Sequence, residues 1–354
     1  MKVPKPHIVK SRLFRKNRRH MLSVQVKNLL EAAFQIKILD CQVVSLQDRV
    51  HDSSSYLLQT EKLRYILKEY KDHAIEDALV FESAVLQHLS NHQLPVVRPI
   101  STIHDAVFAA QGNTLYTLSP FIQGYMYRDY FMTLKQKRSH IQQAGQFLGH
   151  MHACTDHVVL TGEKEWPSSE QRLPILETFL KAITKKTLNE SLANAIEEMI
   201  ELWYNLLENR TAYDELPHCI VHEDFGPYNL IYEKAHLVGV IDFMDAHWDS
   251  RIKDLVYSLM MFTRTRHFPF QPDLVHAFLV PYISQIKVKE IEWEVMSDLF
   301  CLKRLNELPD FIKAYLEEDD GGDYLKMIWD FVEEIEWHQK HKETLISIVK
   351  ESIK

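Results

Sequence analysis

The chain has 354 residues, with 41 Lys and Arg against 49 Asp and Glu, a net charge of −8, and only 9 glycines. The first glycine is Gly112, and neither G-x-G-x-x-G nor G-x-x-x-x-G-K-[ST] occurs, which excludes a Rossmann dinucleotide site and a P-loop. The 4 cysteines stand apart with no C-x-x-C, and no apolar run approaches the ~18 residues of a membrane span. This composition reads as a soluble cytoplasmic protein with reduced thiols, without a disulfide frame or zinc site.

Residues 1–20 carry eight Lys or Arg and no acid. They are expected to form a disordered, solvated arm, and Met21 directly after them is a candidate alternative start. Apolar spacing predicts a helix over 21–34, strands over 36–46, 55–60 and 63–70, and a helix over 76–90. Short strands near 106–110 and 114–119 flank Gln111-Gly112-Asn113, a hairpin composition. Helical spacing then dominates at 136–154, 174–186, 189–208, 252–263, 271–285, 290–316 and 323–350, interrupted by a β island at 219–243. Strands followed by helices predict an α+β chain of two segregated lobes. The small lobe, 21–119, would hold a five-stranded sheet plus a helix, and the larger helical lobe would be 120–354.

The island carries His222-x-Asp224, then Asn229, then Asp242 at the end of the apolar stretch Leu237–Ile241, and Asp254 twelve residues later. The H-x-D-x-x-x-x-N spacing is weak alone. If Leu230–Tyr232 and Leu237–Ile241 pair as a hairpin, however, Asn229 and Asp242 meet at one end. An amide and a carboxylate there suit Mg²⁺, which takes few protein ligands and completes its shell from phosphate. Asp224 suits the base that orients an attacking hydroxyl and takes its proton. The bland reading is a hairpin with surface acids and a packed His222.

The stretch resembles the catalytic and metal-binding segment of the aminoglycoside phosphotransferase / choline kinase-like family, small-molecule kinases of the protein-kinase-like fold. The resemblance extends over roughly residues 40–265, with its motifs in the family's order. It implies ATP and Mg²⁺ as cofactors, Asp224, His222 and Asn229 as the catalytic group, and Asn229 and Asp242 as metal ligands. Tyr65-Ile66-Leu67-Lys68 resembles the ATP-lysine strand, so Lys68 would meet the α- and β-phosphates with Glu82 as its ion-pair partner. Leu118–Gly124 resembles the inter-lobe hinge, where backbone groups around Phe121 would hold adenine, and Asp52–Tyr56, with Ser54 and Ser55, the phosphate-covering hairpin. Ala144–His152 resembles the helix that ends in Leu-His, with His150 and His152 expected to pack. Glu223 departs from the often small residue at its position and is expected to point to solvent.

Asp242 and Asp254 are only twelve positions apart, which leaves no platform for a peptide, so the acceptor is expected to be a small hydroxylated molecule. Asp245, Asp249 and the acidic block 317–336, with Trp329, Phe331 and Trp337, raise the expectation of a cation such as an amino alcohol or amino sugar. A solvated helix face is the plainer account of that block. Homoserine-kinase-like and spore-coat-kinase-like relatives leave neutral or zwitterionic acceptors open. Two other classes stand against the enzyme reading: a catalytically silent ATP-binding scaffold, and a basic-armed nucleic-acid module. The presence of Lys68, Asp224, Asn229 and Asp242 disfavours the first. The acidic remainder of the chain and the lack of a recognition motif disfavour the second. Oligomeric state is not legible.

Overall fold

Alternation of buried and more open side chains along residues 54–60 and 64–70 marks two strands, which with residues 38–45 form three consecutive antiparallel strands. The computed structural model of the protein describes residues 22–45, 53–71, 75–127, 132–160, 171–174, 176–178, 190–208, 213, 215–263, 270–317 and 322–353. The expected basic arm, Asp52 and most of the expected helix at 174–186 lie outside these residues.

α1 (Val24–Phe34), capped by the Ser23 hydroxyl, precedes β1 (Ile38–Ser45), β2 (Ser54–Thr60) and β3 (Arg64–Tyr70). α2 (Glu76–Asn91) then leads to β4 (Ala109–Gln111) and β5 (Thr114–Pro120), joined through Gly112 at φ +58°. The five strands form one antiparallel sheet in the order β1-β2-β3-β5-β4. Its two faces have separate cores. Leu30 and Phe34 of α1 cover Tyr56, Leu58, Leu67 and Leu118. On the other side Ala78 and Leu79 of α2 pack with Tyr70, Leu115 and Met244. Met244 comes from the distant β island, so the chain just past Asp242 is anchored under this sheet.

The remainder is mostly helical around a single large apolar core. It comprises β6 (Tyr125–Met126), α3 (Leu134–Thr155), α4 (Glu190–Glu208), β7 (His218–Val221), β8 (Leu230–Glu233), β9 (His236–Val240) and β10 (His247–Ser250). α5 (Arg251–Thr263), α6 (Pro272–Ile283), α7 (Glu290–Glu317) and α8 (Gly322–Ser352) complete it. A capping box starts α3: Thr133 Oγ1 accepts from Gln136 N–H at 3.3 Å, and Gln136 Oε1 accepts from Thr133 N–H at 2.9 Å. β6 and β10 were not read from the sequence. They are two and four residues long and find their partners, β8 and β7, far along the chain.

The scarce glycines mark close approaches. A Cβ at Gly145 or Gly149 of α3 would fall 2.1 Å from the Phe278 carbonyl oxygen or 2.6 Å from that of Tyr282 in α6. At Gly124 it would fall 2.6 Å from the Tyr232 carbonyl oxygen of β8. Residues 95–97 tie the two parts together through Val240 N–H to Pro95 O at 2.8 Å and Val97 N–H to Val240 O at 3.3 Å. Among the described residues, no helix is long and apolar enough to cross a membrane.

Candidate active site

The β8–β9 hairpin turns through Lys234 and Ala235, both at positive φ, and its open end carries the two expected metal ligands. Ile241 N–H donates to Asn229 O at 3.0 Å, which brings Asn229 and Asp242 to one end. Asn229 Nδ2 donates to the Asp224 backbone oxygen at 2.8 Å and to Asp224 Oδ2 at 3.0 Å. Both amide hydrogens therefore face Asp224, and Asn229 Oδ1 is left to face away from it. Asp242, at φ +70°, is half exposed. An amide oxygen and an open carboxylate fit a hard cation that takes most of its ligands from phosphate. Among the described residues there is no cluster of three or more His, Cys, Asp or Glu able to hold a metal, which sets a closed protein cage aside.

Lys68 lies on β3, and its ammonium bonds Asp242 Oδ1 at 2.7 Å. Burial would lower the Lys68 pKa, but the Asp242 carboxylate holds it well above its ordinary value. The expected direct partner, Glu82, is placed differently. Its buried carboxyl meets Lys68 only through the field. Desolvation pushes Glu82 up to about 7. The physical reason is where the chain is anchored: Met244 packs with Ala78 and Leu79 of α2, and Asp242, two residues earlier, takes the Lys68 ammonium.

Ser55 pairs with Lys68 across β2–β3 and shares its face. Ser54, one residue earlier, is buried on the opposite face with Tyr56 and Leu58. The hinge also departs from expectation. Phe121 N–H donates to Arg64 O at 3.0 Å, and the Arg64 guanidinium carbon lies 4.2 Å from the centroid of the Phe121 ring. The Phe121 N–H is thus taken within the chain. A 390 Å³ cavity with Arg64, Tyr65, Ile100 and Phe121 in its wall lies on this side of the hinge.

Asp224 follows Glu223, a residue at φ +70°. Burial raises the Asp224 pKa, against a hydrogen bond from the Tyr257 hydroxyl to Oδ1 and the nearby Lys303 charge. Behind it, Asp254 accepts from His222 N–H at 2.7 Å and Glu223 N–H at 3.0 Å, and its Oδ2 lies 3.2 Å from His152 Nε2. Desolvation acts to raise Asp254, yet these bonds and His152 hold it below the usual carboxylate range. His222 is fully buried, with Nε2 3.0 Å from Ile241 O and its ring against Phe243. It links the two loops from behind the carboxylate.

Three further expectations are corrected. Glu223 does not point to solvent: it pairs with the buried Lys303 ammonium at 2.7 Å. Asp249 is bound to Lys253, with His247 at 3.3 Å. The aromatic block is core, since Phe331 packs on Phe311 beneath the Arg304 guanidinium and Trp337 packs on Phe270. Tyr257, Lys303 and Arg304 were missed. Their only sequence signal is Lys303-Arg304 standing in the apolar row Leu302, Leu305 and Leu308, where an unpaired charge would be costly.

Comparison with known proteins gives the fold and the family. Homoserine kinases of Zymomonas mobilis and Sinorhizobium fredii are 26% and 23% identical over 61% and 74% of this chain. The matches span 64% and 75% of those relatives' own lengths. Among solved structures, an amicoumacin kinase superposes with TM-score 0.66 at 17% identity, covering 90% of this chain and 93% of its own. A microcompartment-associated aminopropanol kinase gives 0.67 at 14%, covering 91% and 98%. Spectinomycin phosphotransferase gives 0.63 at 15%, covering 94% and 98%. These likenesses establish the two-lobed, kinase-like α+β fold. The model of the phosphotransferase enzyme family APH matches residues 47–294, well over half of the sequence, and the chain belongs to that family.

Proposed function

We propose that this chain is an ATP- and Mg²⁺-dependent kinase that phosphorylates a hydroxyl of a small amino-bearing metabolite, with Asp224 as base. The observation that carries the reading is the convergence of Lys68, Asp242, Asn229 and Asp224. Lys68 bonds Asp242, the neighbouring Ile241 N–H bonds Asn229 O, and Asn229 Nδ2 bonds the Asp224 carboxylate.

In this reading the sheet at 21–119 holds the nucleotide and the helical part at 120–354 holds the acceptor. The bound cation would neutralise and clamp the transferring phosphoryl group. Lys68 would bind the α- and β-phosphates as a point charge. Asn229 Oδ1 and the Asp242 carboxylate would hold the cation, and Asp224 would orient the acceptor hydroxyl and receive its proton as the acceptor oxygen bonds to γ-phosphorus and the bond to ADP breaks. His222 and Asp254 keep the loop carrying Asp224 in register with the loop carrying Asp242.

The acceptor class is read from the relatives' names: homoserine and aminopropanol both carry an amino group and a hydroxyl. The test is a panel of homoserine, aminopropanol, choline and amino sugars with Mg-ATP. The expected result is phosphorylation of one member, Mg-dependent and reduced about 10²–10⁴-fold in Asp224→Asn. No nucleotide binding and no turnover with any acceptor would overturn the reading.

A further inference from the structure

Both oxygens of the proposed base are held by the protein, and only one of the holders belongs to the metal end of the site. Asn229 Nδ2 takes Oδ2 at 3.0 Å, and the Tyr257 hydroxyl, from α5, takes Oδ1. Tyr257 is buried, and its ring is itself clamped. The Lys303 ammonium lies 4.7 Å from the ring centroid and the Arg304 guanidinium carbon 5.1 Å, within cation–π range. The same Lys303 ammonium binds Glu223, the residue before Asp224, at 2.7 Å and Glu307 at 2.8 Å.

Glu223 carries the second observation. Its φ of +70° lies in the left-handed region, which costs a residue with a Cβ about 1–2 kcal/mol and glycine almost nothing. Strain retained beside a reacting group, with the side chain tied to a buried cation, points to a positional task.

We propose that Tyr257, Lys303 and Glu223 act as one positioning unit that fixes the orientation of the Asp224 carboxylate. Tyr257 holds the outer oxygen, Lys303 holds the Tyr257 ring, and the Lys303–Glu223 ion pair pins the backbone on which Asp224 sits. α7 is thereby coupled to the catalytic loop across 80 residues of sequence. The inference rests on the reading of Asp224 as base.

The test uses Mg-ATP with water as acceptor, so it needs no knowledge of the natural substrate. Water oxygen bonds to γ-phosphorus as the bond to ADP breaks, and the water's proton passes to Asp224. Tyr257→Phe and Lys303→Met are each expected to lower kcat for hydrolysis about tenfold, with KM for ATP within about twofold of wild type. Because the residues act as one unit, the double variant should lose about as much as either single one rather than about a hundredfold. Lys303→Met leaves two carboxylates facing a lost cation. If it melts early, Lys303→Met/Glu223→Gln, which removes one charge of each sign, carries the same expectation.

Wild-type kcat in Tyr257→Phe, multiplicative losses, or a loss matched by a rise in KM for ATP each overturn the proposal. Displacement of a fluorescent nucleotide, measured in parallel, separates the two failures. ATP binding and turnover untouched by the variants removes the positioning unit alone. Absence of nucleotide binding in the wild type, with no turnover of water or of any acceptor in the panel, removes the kinase reading and this proposal with it.

Discussion

Gly145→Ala tests whether the contact between α3 and α6 is set by backbone approach. Helix propensity alone predicts a gain of about 1 kcal/mol, since glycine within a helix is that much less stable than alanine. The packing predicts the opposite sign. The added Cβ would lie 2.1 Å from Phe278 O and 2.9 Å from its carbonyl carbon, whereas carbon–oxygen contacts seldom close below about 3.3 Å. The helices would have to part by roughly 1.2 Å, and the obstacle is backbone, so no rotamer change relieves it. Overpacking of this kind costs up to about 3 kcal/mol, leaving a net loss of about 2 kcal/mol once propensity is subtracted. At about 2–4 °C per kcal/mol for a large domain, the melting temperature should fall by about 4–8 °C. Circular-dichroism melts read this directly. A melting temperature equal to or above wild type would refute the argument, because the helix pair would then have room that the geometry denies. The loss should also reach the site: His152, two turns along α3, lies 3.2 Å from Asp254, which holds the His222 and Glu223 amides.

Asp254→Ala is expected to be severe for the same reason, since it strips two buried N–H donors and His152 of their acceptor. A loss of about 3–5 kcal/mol should appear in urea denaturation, and less than about 1 kcal/mol would contradict the role given to it. Acid should act through the same group and through Glu307. Desolvation opposes both shifts, but hydrogen bonds and partner charges hold Asp254 low and Glu307 at about 2. Because the folded values lie below the unfolded ones, this stabilisation is complete above the unfolded pKa of about 4. It is lost as pH falls through the folded values, so the urea midpoint should drop steadily from about pH 5 downward. A midpoint unchanged between pH 5 and 3 would refute it. Asp242→Asn should separate function from stability. Its carboxylate is 51% exposed in the Lys68 pair, a geometry worth under about 1 kcal/mol, and asparagine tolerates positive φ. Turnover should fall by more than about a hundredfold while the melting temperature moves by no more than about 2–4 °C. A parallel loss of both would show Asp242 to be structural.

What the sequence made legible, and what it did not, divides by the range of the interaction. The strands of the sheet and the long helices follow from local periodicity, and the structure places them within a few residues of expectation. The Asn229–Asp242 juxtaposition was readable to within a residue: the two-residue turn pairs Glu233 with His236, and a register shift between Tyr232 and Ile231 sets Leu230 opposite Val240. The Lys68 partner was not. Whether its ammonium meets Glu82 or Asp242 depends on where Met244 is anchored, a contact between parts of the chain about 165 residues distant from α2. Glu223 shows the same limit in a single residue. An acid in a loop is ordinarily solvated, and nothing nearby in sequence announces its positive φ or a lysine 80 positions on.

The acidic, aromatic block near residue 330 yields to a sharper argument. Phe331 and Trp337 stand among carboxylates, which suggested a pocket for a cation, and the cation turned out to be the protein's own. Arg304 lies 4.5 Å from the Phe331 ring centroid and bonds Glu334 at 2.8 Å. An aromatic residue beside an acid on one helix is therefore ambiguous until the facing helix is read for an arginine or lysine in its apolar row. In α7 that row contains Lys303 and Arg304 side by side. The two cations divide the work: Arg304 joins α7 to α8, and Lys303 turns toward Glu223 and the loop of Asp224. A helical core otherwise built from apolar contact thus carries one line of charge from Glu334 of α8 through Arg304, Glu307 and Lys303 to Glu223, beside the proposed base.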